Sequence, residues 1–274
     1  MKATGLFALA LAGIAAVPLQ ALAVEPLDTF SARIGGYVSS FDTDVRANGV
    51  NNQGTEVDLN RDFGLDDSAT IGYVAFTWRP WEHHEFGLAY YQDDADATRT
   101  ISRDITFRDT TYPVNSTISA DVGIDAYEAY YVWWGATREN WALGPRVGMI
   151  WYRLDIAMAM QVDANGAVAG GAFREEVSAD LPSFTIGGAW RWTPGGQGNW
   201  RIGADVGYFQ ANVADVDADV TFGRIGVEWF PWERSGFSLD YTVSKITADA
   251  DKADFAGELD FVDSGLKVGY VYRW

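Results

Sequence analysis

Apolar and polar residues alternate in long runs along this chain, most sharply at its end. Reading back from the terminus, Trp274, Tyr272, Tyr270, Val268 and Leu266 are apolar or aromatic. Arg273, Gly269, Lys267 and Gly265 between them are charged or minimal, and Val271 breaks the pattern. A period of two puts successive side chains on opposite faces of a strand. The same alternation runs through Val74, Phe76 and Trp78; Phe86, Leu88 and Tyr90; Leu143, Val147, Met149 and Trp151; and Phe184, Ile186 and Trp190. It continues through Ile202, Val206 and Tyr208; Ile225, Val227 and Trp229; and Phe237, Leu239, Tyr241 and Val243. Four short turns, at Arg79-Pro80, Gly135–Asn140, Thr193–Asn199 and Phe230-Pro231, separate the runs at one end. Longer polar connections near 46–69, 93–111, 161–173, 213–219 and 248–260 separate them at the other. The pattern predicts ten antiparallel strands over 30–45, 69–79, 84–108, 111–134, 141–160, 173–192, 200–213, 219–229, 236–247 and 261–274. Eight is the alternative count if the segments beside the long connections are less regular.

The second face of these strands collects Arg33, Glu85, Glu128, Arg146, Arg191, Arg201, Asp205, Arg224, Glu228, Asp240, Lys267 and Arg273, interleaved with glycines. One uncharged face and one face with charges of both signs suits a wall between an apolar medium and a polar interior. If Trp133 sits opposite Trp141 across their turn, Glu128 falls opposite Arg146, within ion-pair reach. The same step from Trp229 and Phe237 leaves Arg224 diagonal to Asp240. A narrow barrel with paired charges inside is expected to be plugged rather than open.

The start of the chain places the strands in a compartment. Lys2, an apolar stretch from Leu6 to Leu19 and the Ala21-Leu22-Ala23 pattern read as a secretory signal peptide over 1–23, cleaved before Val24. The remainder, 24–274, reads as one domain. No stretch of it supplies the roughly 18 to 20 apolar residues of a membrane helix. A membrane-spanning form must then be a closed barrel, since every backbone group needs an internal partner.

The tryptophans agree. Trp78, Trp81, Trp133, Trp134, Trp141, Trp190, Trp192, Trp200, Trp229, Trp232 and Trp274 cluster at the short-turn end, whereas the long connections carry none. Such rings mark a membrane–water girdle, with short turns toward the periplasm and long loops outside. Trp151, ten residues along the strand from Trp141, falls at the opposite girdle.

The terminal alternation Leu266, Val268, Tyr270, Tyr272 and Trp274 resembles the signal by which outer-membrane barrels are recognised for assembly. The chain resembles the OmpA-like class of small outer-membrane barrels over its mature length. The segment Gly54–Asp67, following Ser40–Arg46, resembles a pattern in uncharacterised proteobacterial members of that class. The resemblance implies a Gram-negative outer-membrane location, with outer-membrane lipid, lipopolysaccharide and the barrel-assembly machinery as partners. It brings no activity or site.

Composition sharpens this picture. Aromatics at 15% and 29 glycines suit girdles and a crowded interior, and the absence of cysteine leaves a hydrogen-bonded closure to hold an exported chain together. A net charge of −18 argues against nucleic acid. The histidines are His83 and His84, both in a short turn and away from any serine–carboxylate arrangement, so no catalytic residues and no cofactor are expected. Asp58, Asn60, Asp62 and Asp66 are spaced like a calcium loop. They depart from it at Phe63, where glycine is needed, and at Ala69, where a bidentate glutamate is needed. Further acidic runs are Asp93-Asp94-x-Asp96, Asp215-x-Asp217-x-Asp219 and Asp249-x-Asp251-x-x-Asp254, which invite divalent cations at the loops. The expected role is a monomeric structural or surface-interaction barrel with acidic external loops. A small passive channel is the alternative, and a barrel enzyme the third reading.

Overall fold

The computed structural model describes residues 24–48, 55–58, 62, 68–107, 110–115, 117–161, 173–195, 198–213, 216–252 and 255–274. Among the described residues fourteen strands follow one another: β1 (Phe30–Asn48), β2 (Glu56–Asp58), β3 (Ser68–Trp81), β4 (His84–Thr100), β5 (Ile105–Phe107), β6 (Thr110–Tyr112) and β7 (Thr117–Trp133) come first. The rest are β8 (Ala136–Arg138), β9 (Trp141–Gln161), β10 (Phe173–Trp192), β11 (Trp200–Val213), β12 (Val216–Trp229), β13 (Ser235–Lys252) and β14 (Phe255–Arg273). The ten long strands pair antiparallel in the order β1-β3-β4-β7-β9-β10-β11-β12-β13-β14. β14 returns to β1 from Ser31↔Arg273 to Asn48↔Ala256. The result is a closed ten-stranded antiparallel barrel. Closure is completed at the last residue, where Phe30 and Trp274 exchange backbone hydrogen bonds of 2.9 and 3.0 Å and their rings meet at 4.1 Å.

The period of two sorts the side chains as the alternation requires. Ile34, Phe76, Leu88, Leu143, Ile186, Val206, Ile225, Leu239 and Val268 face outward and are exposed, whereas Tyr37, Tyr73, Glu85, Arg146, Asp205, Asp240 and Asp263 are buried inside. Glycines make the inside possible. A Cβ on Gly226 would overlap the Asp240 carboxylate, and one on Gly87 would overlap the Tyr130 ring.

Three connections differ from the sequence expectation. The segment near 213–219 is a tight reversal with Val213↔Val216 paired, and that near 248–260 closes at Lys252↔Phe255. Aspartates in these segments alternate with Val, Ala and Thr, so the period of two continues and the strands extend. Charge alone is a poor loop signal once a strand has left an apolar medium. At 93–111, β4 stops at Thr100 and β7 begins at Thr117, and the residues between include a separate β5–β6 hairpin.

The strands are also longer than a membrane needs. The 19 residues of β14 reach about 63 Å, or about 48 Å along the axis at a tilt near 40°. Toward the far end the wall parts at two seams. β10 and β11 are registered only from Ile186↔Tyr208 to Trp192↔Ile202, and β3 and β4 only from Tyr73↔Tyr91 to Trp81↔His84. Beyond these points β4, β7, β9 and β10 form one sheet, and β11–β14 with β1 and β3 form another. Pro182 lies in the one-partner part of β10, where a missing N–H is tolerated.

Candidate functional site

The lumen brings the predicted charges together. Nearest the termini, Glu228 accepts from Arg33 at 2.6 Å and from Arg201 at 2.5 Å. Arg201 and Arg273 share Asp28 at 2.7 and 3.3 Å, and both guanidiniums lie over the Phe230 ring. One step inward, Asp205 joins Arg191 at 2.8 Å to Arg224 at 2.6 Å, and Arg224 continues to Asp240 at 2.5 Å. Arg201↔Glu228 and Asp205↔Arg224 are directly opposed across β11 and β12, while Arg224 and Asp240 are diagonal across β12 and β13. Glu85 accepts from the Trp134 indole at 3.1 Å, and Arg191 lies over that ring.

Arg146 reaches Glu128 at 2.6 Å, but not by direct opposition. The register places Val132 opposite Arg146 and Glu128 opposite Ile150. The sequence argument assumed that Trp133 and Trp141 flank the turn symmetrically. Instead β8 pairs with the start of β9, and the reversal falls at Glu139-Asn140. The long arginine leans along the lumen, over Tyr130 and Phe222, to close the distance.

Above this network lies an aromatic plug. Lys267 sits over the rings of Tyr37 at 4.7 Å, Tyr91 at 4.9 Å and Tyr73 at 6.0 Å. Asp263 accepts hydrogen bonds from Tyr37, Tyr91 and, at 3.0 Å, Tyr152. Ile71, Ile124, Ile150, Val220, Phe222, Ile246 and Phe261 pack around them. Between plug and network is a cavity of about 60 Å³ flanked by Arg33, Tyr73, Glu128, Arg146, Asp240 and Lys267. It has room for a few waters.

The terminus end is strapped as well. The Val24 N–H donates to Gly198 O at 3.1 Å, and the Val24 side chain packs with Phe230 and Val271. Leu27 packs on Val132, Trp134, Ala142 and Ala189. Shallow open pockets flank this strap, one beside Pro26 and Arg138, the other beside Arg234 and Trp274.

The tryptophans divide. Trp78, Trp81, Trp133, Trp151, Trp200, Trp229, Trp232 and Trp274 are exposed, and Trp141, Trp190 and Trp192 are half-buried. Trp134 is not in the girdle. It is fully buried in the lumen. Its parity with Glu128 and Tyr130 requires this, and proximity to the turn obscured it. Sequence reasoning also missed Asp28 and Asp263. Asp263 shares parity with Lys267 and Arg273, a signal that was present. Asp28 precedes the first strand and had no period to reveal it.

The loop candidates stay apart. Asp62 is held by Arg103 at 2.5 Å, Asp58 lies in β2, and Asn60 and Asp66 lie outside the described residues. Among the described residues no group of three or more metal-ligating side chains converges. His83 Nδ1 donates to Trp134 O at 2.8 Å, and His84 Nδ1 pairs with the Tyr131 hydroxyl at 2.8 Å, so both serve the turn end. Residues 1–23 and most of 54–67 lie outside the described residues.

No protein-family model matches the chain, and no curated protein sequence is similar to it. Its fold is similar to that of the outer membrane protease OmpT of Escherichia coli, with a TM-score of 0.58 at 10% identity over 93% of this chain and 99% of that one. Weaker likenesses include the outer membrane protein OprG of Pseudomonas aeruginosa, with a TM-score of 0.32 at 12% identity over 90% of this chain and 98% of that one. Another is Neisserial surface protein A, with a TM-score of 0.29 at 8% identity over 90% and 97%. At such identities the likeness is one of fold. The architecture is that of the small outer-membrane β-barrels.

Proposed function

We propose that this is a monomeric barrel of the Gram-negative outer membrane, exported by a cleaved leader over residues 1–23. Its lumen is sealed, and its role is structural or in surface interaction through the acidic end. The observation that carries the reading is the double seal, an ion-pair lattice backed by the tyrosine plug of Asp263 and Lys267. A passive channel needs a continuous bore, and catalysis needs an activated group.

The membrane placement rests on the outer wall. From Trp141 to Trp151 on β9 the outward face spans about 25 Å along the axis, the height of an outer-membrane apolar band. Tyr127, Tyr208 and Tyr241 line its far rim and the exposed tryptophans of the turns its near rim. An arginine moved onto this face at mid-height would cost roughly 2 to 4 kcal/mol. The short turns and both termini then face the periplasm, and the acidic extension faces outward. There Asp217 and Asp249 stand directly opposed across β12 and β13, while Glu258 beyond them is paired with Arg46 at 2.8 Å. Like charges so placed repel, and divalent cations shared with lipopolysaccharide phosphates would relieve them.

Planar-bilayer recording of the refolded protein tests the seal. The expected result is no steady current, and a steady ohmic conductance from the wild type overturns the reading.

A further inference from the structure

Charges at the short-turn mouth of the barrel are held differently from those in the lumen. Inside, each arginine of the lattice meets a carboxylate. At the mouth, neutral carbonyls hold Arg79 instead. Its Nε donates to Asp28 O and its Nη1 to Glu82 O, each at 3.0 Å, which fixes the guanidinium between the strap and the β3–β4 turn. Arg138 donates to the Thr137 carbonyl at 2.8 Å and lies over the Trp141 ring at 5.9 Å. Among the described residues neither arginine has a carboxylate within ion-pair reach, and the exposed Glu25, Glu82 and Glu139 have no cation. These five side chains nonetheless line one open pocket beside the strap. Its volume is about 480 Å³, inside the range of roughly 300 to 1,000 Å³ common to small-molecule sites. Pro26 and Leu27 wall it, and the buried Ala142 and Thr193 form its floor. Thr193 N donates to Asn140 O at 2.8 Å, which ties that floor to the β8–β9 turn. The pocket across the strap, about 350 Å³, shares Arg79, but its Arg273 is already paired with Asp28.

We propose that the larger pocket binds a short peptide carrying both a free carboxylate and a free ammonium. A guanidinium oriented by neutral carbonyls keeps its whole charge for a carboxylate, and its planar fork takes one bidentately. Arg79 and Arg138 therefore receive the carboxylate end of the guest. The three glutamates receive its ammonium, and small apolar side chains rest on Pro26 and Leu27. Opposite charges that line one concavity without meeting each other select a guest that carries both. A simple anion would satisfy the arginines but face three carboxylates, and a simple cation would meet the reverse. Val24 also lines the pocket, so the site is complete once the proposed leader is removed. The inference rests on that removal and goes beyond the structural role at the acidic end, on which it does not depend.

The test titrates the mature barrel in lipid nanodiscs with trialanine by calorimetry. Trialanine with an acetylated amine, with an amidated carboxyl and with both caps serve as comparisons, so the central result needs no variant. Trialanine should bind at millimolar concentration or below, and more weakly as salt rises. Either single cap should weaken binding about fivefold, the scale of one exposed ion pair, and both caps together should abolish it. Arg138→Gln should weaken trialanine as amidation does and leave the amidated form unchanged. Glu82→Gln should do the same for the acetylated form. Both residues stand in exposed turns, and an unchanged heat-modifiable gel shift checks that each variant folds. Equal binding of all four peptides overturns the proposal in favour of apolar seating alone. Equal binding of trialanine and its acetylated form overturns it in favour of a carboxylate site. Failure of trialanine to bind at millimolar concentration removes the inference and leaves the sealed barrel standing. An intact mass that retains the leader removes instead the reading beneath it.

Discussion

Asp205 joins two arginines of the lumen network, so a single change there breaks two ion pairs. It is 4% exposed and accepts from Arg191 at 2.8 Å and Arg224 at 2.6 Å. Asp205→Ala leaves Arg191 with the Trp190 carbonyl and the Trp134 ring, and Arg224 with Asp240. Removing one partner from a buried ion pair costs about 3 to 5 kcal/mol. The surviving contacts put the expected loss near the lower end, about 3 kcal/mol, or more than a hundredfold in the folding equilibrium. Urea titration of folding into vesicles, followed by tryptophan fluorescence and by the heat-modifiable gel shift, measures it. Asp205→Leu combined with Arg191→Met, Arg224→Met and Asp240→Leu removes both donors and both of their carboxylates together. It should be milder than Asp205→Ala, because no charge is left stranded. A loss under about 0.5 kcal/mol for Asp205→Ala would mean that water screens the lattice as it does a surface pair. The sealed lumen would then be refuted together with this magnitude.

Two further outcomes follow from the ends of the barrel. Deleting Trp274, or changing Tyr272 and Trp274 together to Asp, removes the outward aromatic edge and the residue that exchanges hydrogen bonds with Phe30; heat-modifiable barrel should vanish from the outer membrane and the chain should be degraded in the periplasm, and normal levels of folded protein would count against it. An epitope inserted near Gly49 or Gly166 should be reached by antibody on intact cells, whereas protection until the outer membrane is permeabilised would mean that the barrel sits the other way up.

Much of this fold was legible because a barrel wall separates two media and imposes the period of two. The assignment of Arg33, Arg146, Asp205, Arg224 and Asp240 to one face needed nothing more than parity. Arg224 and Asp240 could be placed diagonally because the turn at Phe230-Pro231 joins strands that keep one register from Trp229↔Phe237. The same step failed for Glu128 and Arg146. Trp134 turns inward and Gly135 lets the chain shift before β8, which moves the reversal and slides the register. Turn position is decided by local backbone geometry and by which ring finds a buried partner, and neither appears in a hydropathy pattern. Asp28 was invisible for a related reason. It acts through an irregular strap whose course is fixed only once Val24 and Leu27 find their apolar niches.

The far end was misread in an informative direction. Aspartates near 215–219 and 249–254 looked like loop residues because a charge was taken as the end of a strand. A strand ends when its backbone stops pairing, and beyond an apolar band charged side chains on an extended wall cost little. The extension is therefore sheet rather than loop, and sheet has edges. Closing a barrel abolishes edges only where all neighbours stay in register. Here register persists through the outward apolar band and lapses above Tyr208 and Tyr91, beside the tyrosine plug. Asp263 on β14 ties Tyr37 on β1 to Tyr91 on β4 and Tyr152 on β9, so the cluster bridges the two sheets just where those ladders end. Above those ladders the wall continues as two sheets, and among the described residues the upper part of β10 is paired to β9 alone.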